Sequence, residues 1–202
     1  MKLADRVHRG YVHPRRVRVL CDHLSALIPA GASVLDVGCG DGRLAEAILE
    51  RRPDVGIRGV DVQVRDGARV PVDPFDGRTL PAPDRSFDAV MLVDVVHHAD
   101  DPMRLLEEGV RVSRGALLLK DHTLEGFAAG ATLRLMDRVG NARHGVALPY
   151  HYWPRRRWLE AFEALGLEVA EWIDKPRLYP SPASWVFGRS LHFIARLART
   201  PA

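Results

Sequence analysis

Cysteine is nearly absent from this chain of 202 residues, with Cys21 and Cys39 the only two. Two thiols with no CxxC and no His/Cys spacing make neither a disulfide framework nor a structural zinc site, and they point to a reducing compartment. Long apolar runs are missing as well. No stretch approaches the ~20 residues that cross a bilayer. The first residues carry Lys2, Asp5, Arg6 and Arg9 in place of the apolar centre of a signal peptide. The expectation is a cytoplasmic protein with no membrane span. Lysine is scarce, at Lys2, Lys120 and Lys175 alone, so arginine supplies most of the positive charge. The net charge of +3 is far below that of a dedicated nucleic-acid arm, and no nucleic-acid partner is expected. Hydrophobic residues at 47% and charged residues at 27% are ordinary globular values, and the length suits one domain over residues 1–202.

Against this plain background one stretch stands out: Val34-Leu35-Asp36-Val37-Gly38-Cys39-Gly40-Asp41-Gly42. Val34, Leu35 and Val37 read as a buried parallel strand. A glycine-rich turn follows, then helical spacing from Arg43 to Arg51 with Leu44, Ala47 and Ile48 on one face. A strand, a tight glycine turn and a helix make the first unit of a nucleotide-binding α/β sheet. Glycine lets a ligand approach the backbone where a Cβ would collide, and a helix start adds amide donors beside it. An acid inside an apolar strand is costly unless paired, so Asp36 has a polar duty. The pattern is not the dinucleotide fingerprint, because Arg43 stands where its third glycine belongs.

This stretch resembles motif I of the class I S-adenosylmethionine-dependent methyltransferases, of the small-molecule type akin to methyltransferase domain 11. The resemblance covers residues 33–120 well and the remainder in topology. It implies S-adenosylmethionine as cofactor, with Asp36, Gly38, Cys39 and Gly40 against it. The next strand, Ile57 to Val60, ends in Asp61, 19 residues beyond Gly42. That is close to the ~20-residue interval of an acid that accepts both ribose hydroxyls. Val62 beside it suits the adenine face. The run Asp76-Gly77-Arg78-Thr79-Leu80-Pro81-Ala82-Pro83-Asp84-Arg85-Ser86-Phe87-Asp88 resembles a further family signature, with Ala82 where an aromatic is usual. It implies that Asp76, with Gly77, meets the adenine amino group. Asp73 is the rival, and spacing favours Asp76.

Further strands are read at 68–72, 87–93, 116–119, 167–173 and 190–197. The expected fold is therefore α/β: a Rossmann-like, doubly wound, seven-stranded sheet, mostly parallel with an antiparallel last strand and helices on both faces. An amphipathic helix from Arg15 to Ile28, ended by Pro29 and Gly31, is read as packing on the sheet. Asp94, His97 and His98 follow the fourth strand, and Asp121 and His122 follow the fifth. Ligands of an open α/β sheet lie outside the carboxyl ends of its strands, so these groups face the methyl donor or hold the loops that do. Asp94 is counted with the cofactor residues. An imidazole is the natural base near neutrality. The candidates are His98, then His122, then His97 or His144, with Asp121 to orient one of them. Metal ligation is conceivable in ligand chemistry, but no coordination spacing supports it, and no metal is expected.

Residues 122–153 form a long segment before the next core helix, with aromatic content that argues against disorder. By the resemblance it is a substrate cap, in which His144, Tyr150, His151, Tyr152 and Trp153 meet a small, apolar or aromatic acceptor. Leu148-Pro149-Tyr150 is not the amino-methylating Asn-Pro-Pro-Tyr motif, which belongs after the fourth strand. The run Arg155-Arg156-Arg157 reads as a solvated helix face. Phe187 is assigned to packing, and Tyr179 is left open. Two other readings stand beside methylation of a small molecule. One is a cofactor-binding pseudoenzyme or partner subunit. The other is an RNA or protein methyltransferase, which the modest charge disfavours.

Overall fold

A computed structural model describes residues 13–141 and 149–200. The described residues open with helix α1 (His13–Leu27), then strand β1 (Ser33–Val37), helix α2 (Arg43–Arg51), β2 (Gly56–Asp61), β3 (Val72–Pro74) and β4 (Phe87–Val93). A single 3-10 turn, Val96–His98, leads to α3 (Pro102–Val112), whose Asp101 side chain accepts the Arg104 amide as an N-cap at 3.0 Å. Strand β5 (Ser113–His122), α4 (Ala129–Asn141), α5 (Arg155–Ala164), β6 (Leu167–Asp174), the short α6 (Ala183–Phe187) and β7 (His192–Arg199) complete it.

The strands form one seven-stranded sheet in the order β3-β2-β1-β4-β5-β7-β6. Pairings from β3 to β5 are parallel, and β7 runs antiparallel to both β5 and β6. This is the expected doubly wound architecture. Its strand order reverses between β1 and β4, which is where such sheets open a ligand crevice.

Alternation along the strands assigns the two faces. Leu35, Val37, Val90, Leu92, Leu117 and Leu119 pack with Leu105 and Leu106 of α3 and with Trp158 and Phe162 of α5. Val34, Met91, Leu118 and Ile194 pack on the other side with Leu20 and Leu24 of α1 and with Ala45 and Ile48 of α2. Both layers are apolar, and polar groups collect where the strands run out. No helix among the described residues is long and apolar enough to cross a membrane.

The third strand departs from expectation. It lies at Val72–Pro74, not at 68–72, because the preceding segment covers the glycine turn instead of pairing. The Arg69 amide donates to the Asp41 carbonyl at 3.1 Å, and buried Val70 packs so closely on Gly42 that a Cβ there would lie 3.0 Å from Val70 Cγ2. Strand β5 is longer than its apolar run suggests and carries Lys120, Asp121 and His122 within the sheet. After β5 the chain forms one helix at 129–141, with Gly130 inside its first turn.

Trp158 anchors the end of β5. Its side chain is 1% exposed, and its indole N–H donates to the His122 carbonyl at 2.9 Å. Trp158→Phe removes that donor and leaves part of the indole volume empty. It should cost about 1–3 kcal/mol of stability, read from the midpoint of urea unfolding.

Candidate functional site

The first half of the site lies at the ends of β1 and β2. Gly38 and Gly40 hold φ of +69° and +61°, the left-handed region that favours glycine. A Cβ on Gly38 would fall 2.4 Å from Val95 Cγ2, so packing across the β1/β4 crevice requires glycine there. At Gly40 the nearest atom to such a Cβ is 3.8 Å away on Arg65, and the backbone is open to approach. The turn's own amides are already used. Gly38 and Cys39 donate to the Val60 carbonyl at 2.7 and 3.3 Å, and Gly40 donates to Asp61 Oδ2 at 2.8 Å. The turn is therefore tied to β2, and a ligand would meet it by close contact more than by donated hydrogen bonds. Burial, with Asp36 and Asp61 behind it, pushes the Cys39 thiol up to about 12, away from the thiolate that reacts.

Asp61 is 9% exposed and accepts one backbone N–H on each oxygen, from Gly40 and from Gln63 at 2.9 Å. Each oxygen keeps a further lone pair, so the carboxylate can still take two hydroxyls. Val62, next along, is 63% exposed and lies over Gly77, where a Cβ would sit 3.5 Å from Val62 Cγ1. An apolar ledge thus follows the acid directly. Asp76 Oδ1 accepts the amides of Arg78 and Thr79 at 2.8 and 2.7 Å, which shapes the loop and leaves its other oxygen outside those bonds. Its rival Asp73 is engaged by Arg58 at 2.6 Å.

The Asp36 side chain has no hydrogen-bond partner among the described residues, and the residue is 3% exposed. Burial, and then the nearby Asp61, push its carboxyl up to about 8. An unpaired buried acid bordering a crevice suits a cationic ligand, which would restore its charge. Asp36, the open Gly40, Asp61 and the Val62 ledge together fit an adenosyl sulfonium with a charged amino group.

The second half lies beyond β4 and β5. Asp94, at φ +56°, binds Lys120 through Oδ1 and Arg16 of α1 through Oδ2. Burial alone would raise its pKa, yet Arg16 and Lys120 hold it well below the carboxylate range. Both oxygens bond to cations of the protein itself. Lys120 is fully buried and also lies 3.3 Å from His192 Nδ1, while His192 Nε2 faces the Phe187 carbonyl at 3.0 Å.

His97 is 1% exposed and sits between two acids, with Nδ1 2.6 Å from Asp121 Oδ1 and Nε2 3.5 Å from Asp137 Oδ2. Burial opposes its charge, but Asp121, with Asp137, raises its pKa to about 10. His122 is the opposite case: burial, then Lys120 and His97, lower it to about 4. His98 is half-buried and lowered by burial and by His97. Tyr152 donates to Asp137, and its ring lies 5.8 Å from those of His97 and His122.

The four catalytic candidates among the described residues therefore come together, as do the adenosine candidates. The cap residues divide. Tyr150 and Tyr152 face each other at 6.0 Å, whereas His151 reaches the Ala99 carbonyl and Trp153 packs on Trp158. His144 lies outside the described residues. Arg16, Asp137 and His192 escaped the sequence reading, since nothing in a helix face or a remote strand marks a side chain that reaches another element. Arg16 also corrects the purely packing role given to its helix. Tyr179 packs 5.6 Å from His192.

Comparison with known proteins matches a family described as methyltransferase domain over residues 11–171. A 27-O-demethylrifamycin SV methyltransferase of Amycolatopsis mediterranei is 30% identical over 70% of this chain and 60% of its own length. An uncharacterised methyltransferase of Mycobacterium sp. (strain JLS) is 35% identical over 57% of this chain and 48% of its own. The chain thus spans roughly half to three fifths of these two relatives. Among solved structures, a SAM-dependent methyltransferase of Thermotoga maritima superposes with a TM-score of 0.67 at 22% identity, covering 97% of this chain and 98% of that one. The cyclase SpnF superposes at 0.65 with 19% identity over 90% of this chain and 82% of its own. At such identities the structures share the fold.

The unpaired acid gives a pH signature. A carboxyl raised from 3.8 to about 8 on folding makes the folded state bind more protons than the unfolded one. Its contribution to stability is therefore most favourable below pH 3.8 and is lost progressively as pH rises towards about 8. Asp36→Asn removes that loss. The difference in unfolding free energy, variant minus parent, should grow by about 2–4 kcal/mol between pH 5 and pH 8, measured by urea titration at each pH. A difference constant with pH would contradict the unpaired state.

Proposed function

The chain belongs to the class I S-adenosylmethionine-dependent methyltransferases, and we propose that it transfers a methyl group to a small, apolar or aromatic metabolite. The observation that carries this reading is the arrangement of Asp36, Asp61 and Asp76 around an open glycine turn, each acid at or just beyond the end of a neighbouring strand. In this reading Asp61 accepts the two ribose hydroxyls, the Val62 ledge and Gly77 hold the adenine, and Asp76 accepts from its amino group. Gly38, Cys39 and Gly40 supply backbone for close approach. Asp36 answers the cationic end of the ligand.

Bound there, S-adenosylmethionine supplies an activated methyl on a sulfonium, displaced in line by the acceptor atom. The residues beyond β4 and β5 have the task of alignment and of excluding water. Asp94 holds α1 against the strand ends through Arg16, which closes that side. His98 and His122 are assigned to the acceptor wall, with Asp121 fixing the orientation of His97 behind them. Tyr150 and Tyr152 present aromatic faces to the acceptor from the cap. A small-molecule acceptor is supported by the name of the rifamycin-modifying relative and by this aromatic wall. The low net charge argues against a nucleic-acid substrate.

Calorimetry with S-adenosylhomocysteine tests the reading without knowledge of the acceptor. The protein should bind the compound, and Asp61→Ala should weaken binding about 5–150-fold, equivalent to about 1–3 kcal/mol. An unchanged affinity removes Asp61 from the ribose, and no binding at millimolar ligand overturns the proposal.

A further inference from the structure

Ligand atoms of His and Asp converge twice among the described residues, each time within 4.8 Å of one another: in Asp94, His97 and His122, and in His97, His98 and Asp137. The first grouping is unsuited to a cation. Asp94 already serves Arg16 and Lys120, two positive groups that would repel an ion. The second grouping is different. His97 Nε2 and His98 Nδ1 are both buried and both lack a hydrogen-bond partner. Their ring centroids lie 4.0 Å apart, and one ligand atom from each of His97, His98 and Asp137 falls within 4.8 Å of the others. Asp137 Oδ2 closes the group, 3.5 Å from His97 Nε2. A tetrahedral ion with bonds of ~2.0–2.1 Å spaces its ligand atoms by about 3.4 Å.

The surroundings match those of a ligating histidine. His97 Nδ1 lies 2.6 Å from Asp121 Oδ1, so Asp121 holds the hydrogen on that nitrogen and leaves Nε2 to face the group. Asp137 is itself oriented by the Tyr152 hydroxyl. We propose that His97 Nε2, His98 Nδ1 and Asp137 Oδ2 form a binding site for a divalent first-row transition ion of the zinc or cobalt class. Two imidazoles and one carboxylate select such an ion over magnesium, which prefers oxygen. The ion takes the place of any proton on His97 Nε2, which passes to solvent, and both carboxylates then face a full cation. Three protein ligands leave a coordination position for water or a ligand. The ion also joins α4 of the cap to the 3-10 turn after β4, two elements far apart in the chain.

Chelator-treated protein titrated with cobalt(II), followed by visible d–d absorption and then displaced with zinc(II), tests the site with no S-adenosyl compound present. One equivalent of cobalt should saturate the band. His98→Ala and Asp137→Asn should each weaken binding by roughly 100-fold or more, and Asp121→Asn, behind the ligand, by ~10–100-fold. His98→Gln, at a half-buried position, serves where a variant does not fold, as judged by circular dichroism. Absence of a saturable band in the parent protein, or variants that bind as the parent does, overturns the proposal and leaves an ion pair only. Failure here does not touch methyl transfer, and failure of S-adenosylhomocysteine to bind does not touch the metal site.

Discussion

A fully buried ammonium cannot stand alone in a protein interior, and the Lys120–Asp94 pair answers that constraint. Much of the acceptor side follows from it. Asp94 takes a left-handed backbone conformation directly after β4, and its second oxygen draws Arg16 in from α1. The first helix is thereby fixed across the carboxyl ends of the strands as well as packed on the sheet. Lys120 also sets His192 of β7, whose other nitrogen meets the end of α6. Removing one member of a buried pair typically costs about 3–5 kcal/mol because the other is stranded. One ion pair thus couples the first helix, two central strands and the antiparallel edge.

The two halves of the site handle buried charge in opposite ways. Beyond β4 and β5 each of the acids Asp94 and Asp121 has a cationic partner from the protein itself, Arg16 and Lys120 for the first and His97 for the second, although Asp121 Oδ2, His97 Nε2 and His98 Nδ1 keep no hydrogen bond. The acids at the ends of β1 and β2 have no such cation among the described residues. Gly40 and Gln63 satisfy Asp61 in part, and Asp36 goes without a donor altogether among the described residues. Imbalance in a crevice is the mark of a site completed by something else, and a cation with vicinal hydroxyls answers both deficits at once.

The adenosyl half was legible in the sequence because its logic is local. Spacing from Gly42 to Asp61 and the run from Asp76 to Phe87 lie along single strand–turn units, where one-dimensional distance stands for position. The seven strands were legible for the same reason, apart from the third. There Val70 is apolar for the sake of covering Gly42, and periodicity cannot tell covering from pairing. The acceptor half was legible only as a list of residues at strand ends. Their partners come from α1, α4 and β7, and a helix face with Arg16 or Asp137 on it looks like any solvated face until the tertiary fold places it. In the sequence Lys120 is one of three lysines, and nothing marks it as buried.

This division bears on what the fold permits. The fold is shared with a methyltransferase and with a cyclase at similar structural distance, so the fold does not select a reaction. Beyond β4 and β5, the side chains of His97, His98, His122, Asp121 and Asp137 crowd together, largely buried. A dense group of imidazoles and carboxylates is expensive to bury, and packing alone would be served more cheaply by leucine. The chain keeps that cost beyond the carboxyl ends of β4 and β5, and a buried cluster of perturbed titratable groups marks a place for chemistry more than for packing.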